Sequence, residues 1–141
     1  MQVTEIIQVI TTTETKADAQ AIARALVEKR LAGCVQIVGP ITSTYRWQGE
    51  IETAEEWLCV IKSRQDLYEA LEEAIREVHP YDVPEILAVP VVAGGRDYPE
   101  WLDGELKQPS SAKKAPSGPQ SASLAGEADA PQTRDGDCGP L

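Results

Sequence analysis

Seven consecutive residues, His79-Pro80-Tyr81-Asp82-Val83-Pro84-Glu85, hold the only histidine of the chain, two prolines, a tyrosine and two acids. A neutral imidazole is the side chain best suited to ligate a transition metal near neutral pH. A metal ion or a small ligand is therefore one chemistry for this stretch. The other is mechanical: a rigid turn from helix to strand, with the ring of His79 facing the negative end of the preceding helix. One imidazole is not a site, so further donors would come from Cys34, Asp82, Glu85 or a neighbouring subunit. Cys34 reads either as a packed thiol or as a soft-metal ligand. Lys62 and Glu85 read either as a charge pair in a pocket with Tyr81 and Asp82, or as ordinary charges at strand ends.

Other chemistries find less support. Glu50, Glu52, Glu55 and Glu56 lack the D-x-D-x-D-G loop of a calcium site and read as a solvated face. There is no G-x-S-x-G, P-loop or H-E-x-x-H motif. Cys34 with His79 would need a third, orienting group to act as a thiol hydrolase, and the sequence offers none. The expectation is a protein that is not an enzyme.

The elements that must position these residues follow from periodicity. Residues 3–11 are rich in β-branched types and apolar on both faces, as a central strand would be. Thr15 can cap a helix reaching about Arg30 with Ala19, Ile22, Ala23 and Leu26 on its apolar stripe, and Gly33 is the expected left-handed stop. Residues 34–47 alternate, with Val35, Ile37, Ile41, Ser43, Tyr45 and Trp47 on one face. Gly39-Pro40 marks a bulge or an edge within them. Gln48-Gly49 makes a two-residue turn into a strand over 51–63, whose polar first half predicts a hairpin tip projecting beyond the core. Leu67, Leu71, Ala74, Ile75 and Val78 define the apolar stripe of a second helix over 66–78, ended by Pro80. A strand over 85–92 with Pro90 inside and a short helix over 98–106 complete the order. The class is α+β: a ferredoxin-like βαββαβ sandwich with antiparallel sheet order 4-1-3-2 and an extra C-terminal helix. Tyr45, Trp47 and Trp57 cluster around the hairpin and predict a subunit interface, and Cys59, between Trp57 and Ile61, reads as core.

Residues 1–108 form the expected domain. Residues 109–141 are Ala, Ser, Pro and Gly with scattered charge, and read as a disordered tail. Cys138 lies four residues from the end, but Gly and Pro follow it where a lipidation signal needs aliphatic residues. The formal net charge is −10, and the acid excess lies almost entirely before Pro109. Such a surface argues against nucleic acid. No apolar run is long enough for a membrane helix, and three cysteines without C-x-x-C spacing suit a reducing compartment. A cytoplasmic protein is expected.

Five separated motifs are similar to those of the CutA divalent-cation-tolerance family: Leu31-Ala32-Gly33-Cys34-Val35, Ser43-Thr44-Tyr45-Arg46-Trp47-Gln48-Gly49-Glu50-Ile51, Ile61-Lys62, the His79 to Glu85 stretch, and Tyr98-Pro99-Glu100-Trp101. The resemblance covers about residues 3–106. It implies a homotrimer in which long hairpins extend across subunits and sheet edges pair between protomers. It also implies divalent-cation tolerance, with copper as a candidate ion. The ligands suggested for that family are a cysteine near the end of the first strand and two consecutive histidines. Here those positions are Thr11, Val78 and His79, so one of the three is kept. By fold analogy to the trimeric PII signalling proteins, a small-effector sensor is the second reading.

Overall fold

The computed structural model describes residues 5–107, which belong to one compact unit ending at Lys107. The expected tail over 109–141, with Cys138, lies outside the described residues. Four strands, β1 (Ile6–Thr13), β2 (Cys34–Trp47), β3 (Glu50–Arg64) and β4 (Leu87–Pro90), form one antiparallel sheet in the order β2-β3-β1-β4. Among the described residues there are also three α-helices, α1 (Lys16–Glu28), α2 (Tyr68–Val78) and α3 (Asp97–Glu105), and a 3-10 turn over Gln65–Leu67. Ile22 and Leu26 of α1 and Leu71 and Ile75 of α2 pack with Val9 and Ile61 in one fully buried cluster.

Local chemistry sets the helix ends. The hydroxyl of Thr15 accepts the Asp18 backbone N–H at 3.1 Å, one of the orphan donors of a helix start. At the other end the left-handed residue is Arg30, with φ 58°, and not Gly33. The Leu31 N–H reaches the Leu26 carbonyl and the Arg30 N–H reaches that of Val27, both at 3.0 Å, the bond pattern of a Schellman stop. Arg30 adopts this conformation while its carbonyl accepts the Lys107 N–H at 2.9 Å and its guanidinium bonds the Glu105 carbonyl at 3.0 Å. Gly33 is a glycine for another reason: a Cβ there would stand 2.5 Å from Leu102 Cδ1 of α3.

The β2–β3 hairpin turns through Gln48 and Gly49, both at positive φ (53° and 85°), as a two-residue turn matched to strand twist requires. The register then shifts between Val38 and Ile41. Val35 and Ile37 lie opposite Ile61 and Cys59, on the helix-covered face. Beyond the shift, Ile41, Ser43, Tyr45 and Trp47 lie opposite Glu56, Ala54, Glu52 and Glu50, on the other face. The expected single face of β2 is therefore two faces. Gly39 and Pro40, joined by a cis peptide bond, stand where β3 offers only Trp57. β1 pairs with β3 only as far as Thr13–Trp57, so the hairpin continues past it as an arm.

Two further expectations change. Val78 does not join the apolar stripe of α2; it is 45% exposed. The last strand is four residues, not eight. Glu85 and Ile86 precede the ladder, which closes at Pro90, a residue with no N–H to donate.

Candidate functional site

His79 closes α2. Its N–H bonds the Ile75 carbonyl at 2.9 Å, and its own backbone is extended (φ −80°, ψ 132°), as a residue before proline prefers. That departure carries the ring to the end of β1, where Nε2 lies 2.8 Å from the Thr12 carbonyl. The chain then doubles back, and the Tyr81 N–H donates to Nδ1 at 3.1 Å. The Tyr81 ring tilts against the imidazole at 4.8 Å between centroids, and its hydroxyl donates to Glu56 Oε2 at 2.7 Å. One constellation therefore joins α2, β1 and the root of the hairpin arm through His79, Thr12, Tyr81 and Glu56.

Burial governs its electrostatics. His79 is 9% exposed, and desolvation pushes its pKa below the ordinary value, against the smaller raising effects of the Thr12 carbonyl, Asp18 and Glu56. Tyr81 is pushed well above the usual phenol range, first by burial and then by its bond to the Glu56 carboxylate. The site is built to hold a neutral imidazole and a protonated phenol.

The other expected donors are elsewhere. Cys34 is 3% exposed and lies opposite Lys62, which lies opposite Gln8. His79 meets β1 at Thr12, four residues further on, about 13 Å at strand spacing. The structure therefore does not bring Cys34 to His79. Lys62 directs Nζ to Gln36 Oε1 at 3.0 Å and lies 5.7 Å from the Tyr98 ring centroid. Its partner is thus not Glu85, which with Asp82 is exposed on the α2–β4 connection. Burial holds the Lys62 pKa below its ordinary value. Cys59 is fully buried, its thiol pushed up to about 11 by desolvation, which suits a core residue rather than a nucleophile.

The three aromatics of the hairpin separate. Trp57 lies on the helix side, its ring against Gly39, where a Cβ would stand 2.5 Å from Cε3, and 5.5 Å from Lys16 Nζ. Tyr45 and Trp47 lie on the opposite face of the arm, 43% and 46% exposed, while Ile51, paired with Arg46 at the start of β3, is exposed on the Trp57 face.

The residues present do not fit a copper ion within one protomer. No group of three or more His, Cys, Asp or Glu residues able to hold a metal occurs among the described residues. Thr11 is fully buried, with a hydroxyl that has no hydrogen-bond partner among them, and an alcohol is a poor substitute for a thiolate. Two functional features escaped sequence reasoning. Glu56 read as one more solvated acid, although it opens a face that continues into Leu58 and Val60, and an acid bordering an apolar run was the available signal. Gln36 as the partner of Lys62 left no signal.

Fold and site together define a small α+β protein with a projecting β arm and a histidine-centred clasp at its root. Residues 7–105 match the family model described as CutA1 divalent ion tolerance protein, and the chain belongs to that family. The divalent-cation tolerance protein CutA of Thermus thermophilus is 46% identical over 94 residues, 67% of this chain and 91% of that protein. Human protein CutA is 49% identical over 84 residues, 60% of this chain but 47% of its own length, so this chain spans about half of the mammalian relative. A relative from Arabidopsis thaliana, 41% identical over 72% of this chain and 56% of its own, carries "chloroplastic" in its name. Among solved structures, the Thermus thermophilus protein superposes with a TM-score of 0.71 at 42% identity, covering 72% of this chain and 99% of that one. The CutA of Synechococcus elongatus gives 0.72 at 36%, covering 76% and 95%. The family is named for tolerance and not for a reaction.

Proposed function

We propose that this protein works in the cytoplasm as a homotrimer that binds divalent cations, copper(II) among them, at contacts between protomers, without catalysing a reaction. Family membership supports the cation. The observation that carries the assembly is the arm: Tyr45 and Trp47 on one face and Ile51 on the other stand exposed on a hairpin that β1 does not cover, apolar surface that isolated monomers avoid. Leu87 and Val89 are likewise exposed on the edge strand β4. The cation would draw on Asp82 and Glu85 together with groups of a neighbouring protomer, because one protomer assembles no ligand set. No helix among the described residues is long and apolar enough to cross a membrane.

Light scattering at micromolar concentration tests the assembly, with a trimer mass expected; a monomer removes the interface role of Tyr45 and Trp47. Calorimetric titration of copper(II) tests the cation. Micromolar binding is expected in the wild type and loss of heat in Asp82→Asn/Glu85→Gln. No heat in the wild type would end the cation reading.

One observation favours a second reading, a sensor of small acidic effectors. Lys62 is a partly desolvated cation whose ammonium meets the Gln36 amide oxygen and the Tyr98 ring. A thermal-shift screen of nucleotides and small carboxylates should then find a stabilising compound whose effect is lost in Lys62→Met.

A further inference from the structure

The hydrogen bonds of His79 fix its tautomer. A backbone amide can only donate, so the Tyr81 N–H at 3.1 Å requires that Nδ1 hold the lone pair. Nε2 then carries the proton and donates it to the Thr12 carbonyl at 2.8 Å. A metal needs a lone pair on the ring, and the one that exists is occupied by the Tyr81 amide. Coordination at Nδ1 would break that bond. Coordination at Nε2 would require the other tautomer, which sets two N–H groups, Nδ1–H and the Tyr81 amide, against each other and leaves the buried Thr12 carbonyl without its donor.

We propose that His79 is not a cation ligand but a positioning residue, a neutral clasp that fixes the α2–β4 connection against the end of β1 and the root of the hairpin arm. Two bonds leave this short segment for different elements and a third closes it on itself. Nε2–H goes to β1, the Tyr81 hydroxyl goes to Glu56 of β3, and the Tyr81 amide folds the segment back on the ring. The charged groups that act on the ring are Asp18 of α1 and Glu56 of β3, and the ring's hydrogen bonds go to neither. The clasp sits six residues before Leu87, so it decides where the edge strand β4 meets β1. It sets the geometry of an edge that a neighbouring chain would read, and it does so whether or not the protein binds a cation.

Because His79 is the only histidine, long-range proton–nitrogen spectra of the labelled protein contain one imidazole. At pH 7.5, above the imidazole transition, the Nε2–H tautomer pattern is expected. It should persist after addition of equimolar zinc(II), a diamagnetic probe, with Nδ1 unshifted. An Nδ1–H or tautomer-averaged pattern in the free protein overturns the proposal, as does a coordination shift at either nitrogen with zinc. Calorimetry on the same samples reports whether zinc binds at all, so loss of the cation reading and loss of the clasp give different results. A pair of variants adds a second readout. His79→Ala should lower the Tm by several degrees and speed hydrogen exchange at Tyr81 and the β4 amides by about tenfold or more. His79→Gln, which can donate and accept, should recover part of both. Copper(II) affinity should change less than twofold in either. A tenfold loss of affinity at unchanged Tm would make His79 a ligand after all.

Discussion

His79 and Thr11 show how burial decides what a polar residue does. The folded pKa of His79 lies below its ordinary 6.5 because the buried ring resists charging. The unfolded state therefore takes up a proton first as pH falls. The stability that the neutral ring contributes is fully present above about pH 6.5 and is lost as pH falls towards and through the folded value. Thermal unfolding between pH 8 and pH 5 should show the wild type losing Tm faster than His79→Gln below pH 6.5; parallel curves would refute this assignment. Thr11 offers the opposite case. Its buried hydroxyl has no partner among the described residues, so Thr11→Val, nearly the same shape without the oxygen, should stabilise the protein by about 1 kcal/mol. Denaturant midpoints measure it, and an unchanged or lower midpoint would mean that the hydroxyl is satisfied in solution. The chemistry of the seven-residue stretch was legible as a choice between ligand and turn. The partners that the fold gives this stretch, the Thr12 carbonyl and Glu56, come from other parts of the chain, and no spacing rule places them.

At the level of elements, signals carried within a few residues survived folding. The Thr15 cap, the Gln48-Gly49 turn, the stop at Pro80 and the doubly apolar β1 all depend on neighbours in sequence. The errors came from distance. Gly39-Pro40 announces an interruption of β2, but not that one extra residue there reverses which side chains face the helices. Gly33 looked like a helix stop because nothing in its vicinity announces Leu102 of α3. Gly39 should be intolerant in the same way. Gly39→Ala drives a methyl into the Trp57 ring and should cost about 1–3 kcal/mol. Tryptophan near-ultraviolet dichroism should change with it, whereas Gly95→Ala, which has open space around it, should do neither.

For the whole molecule, charge and arm act against each other. A net charge of −10 repels other copies, while the exposed aromatics of the arm favour burial against one. Association should therefore tighten as salt screens the repulsion, with the dissociation constant falling between about 0.02 and 0.3 M salt. Trp47→Arg should raise it by about tenfold or more, as loss of a central aromatic anchor does. Sedimentation across the salt series measures both, and a constant that rises with salt would place ion pairs rather than apolar groups at the contact.

The sheet ends in two different borders, β2 and β4. A contact that sets one against the other is head-to-tail, and each copy added leaves the same pair of borders free. Such a chain of copies either curls into a ring or grows without limit, and the rotation per step decides which. The extra residue at Gly39-Pro40 bends one border, and the four-residue β4, ending at Pro90, shortens the other. Both limit the angles at which a further copy can be added. A variant that deletes Pro40 and restores plain alternation should therefore reveal itself as filaments under the electron microscope rather than as a weaker ring.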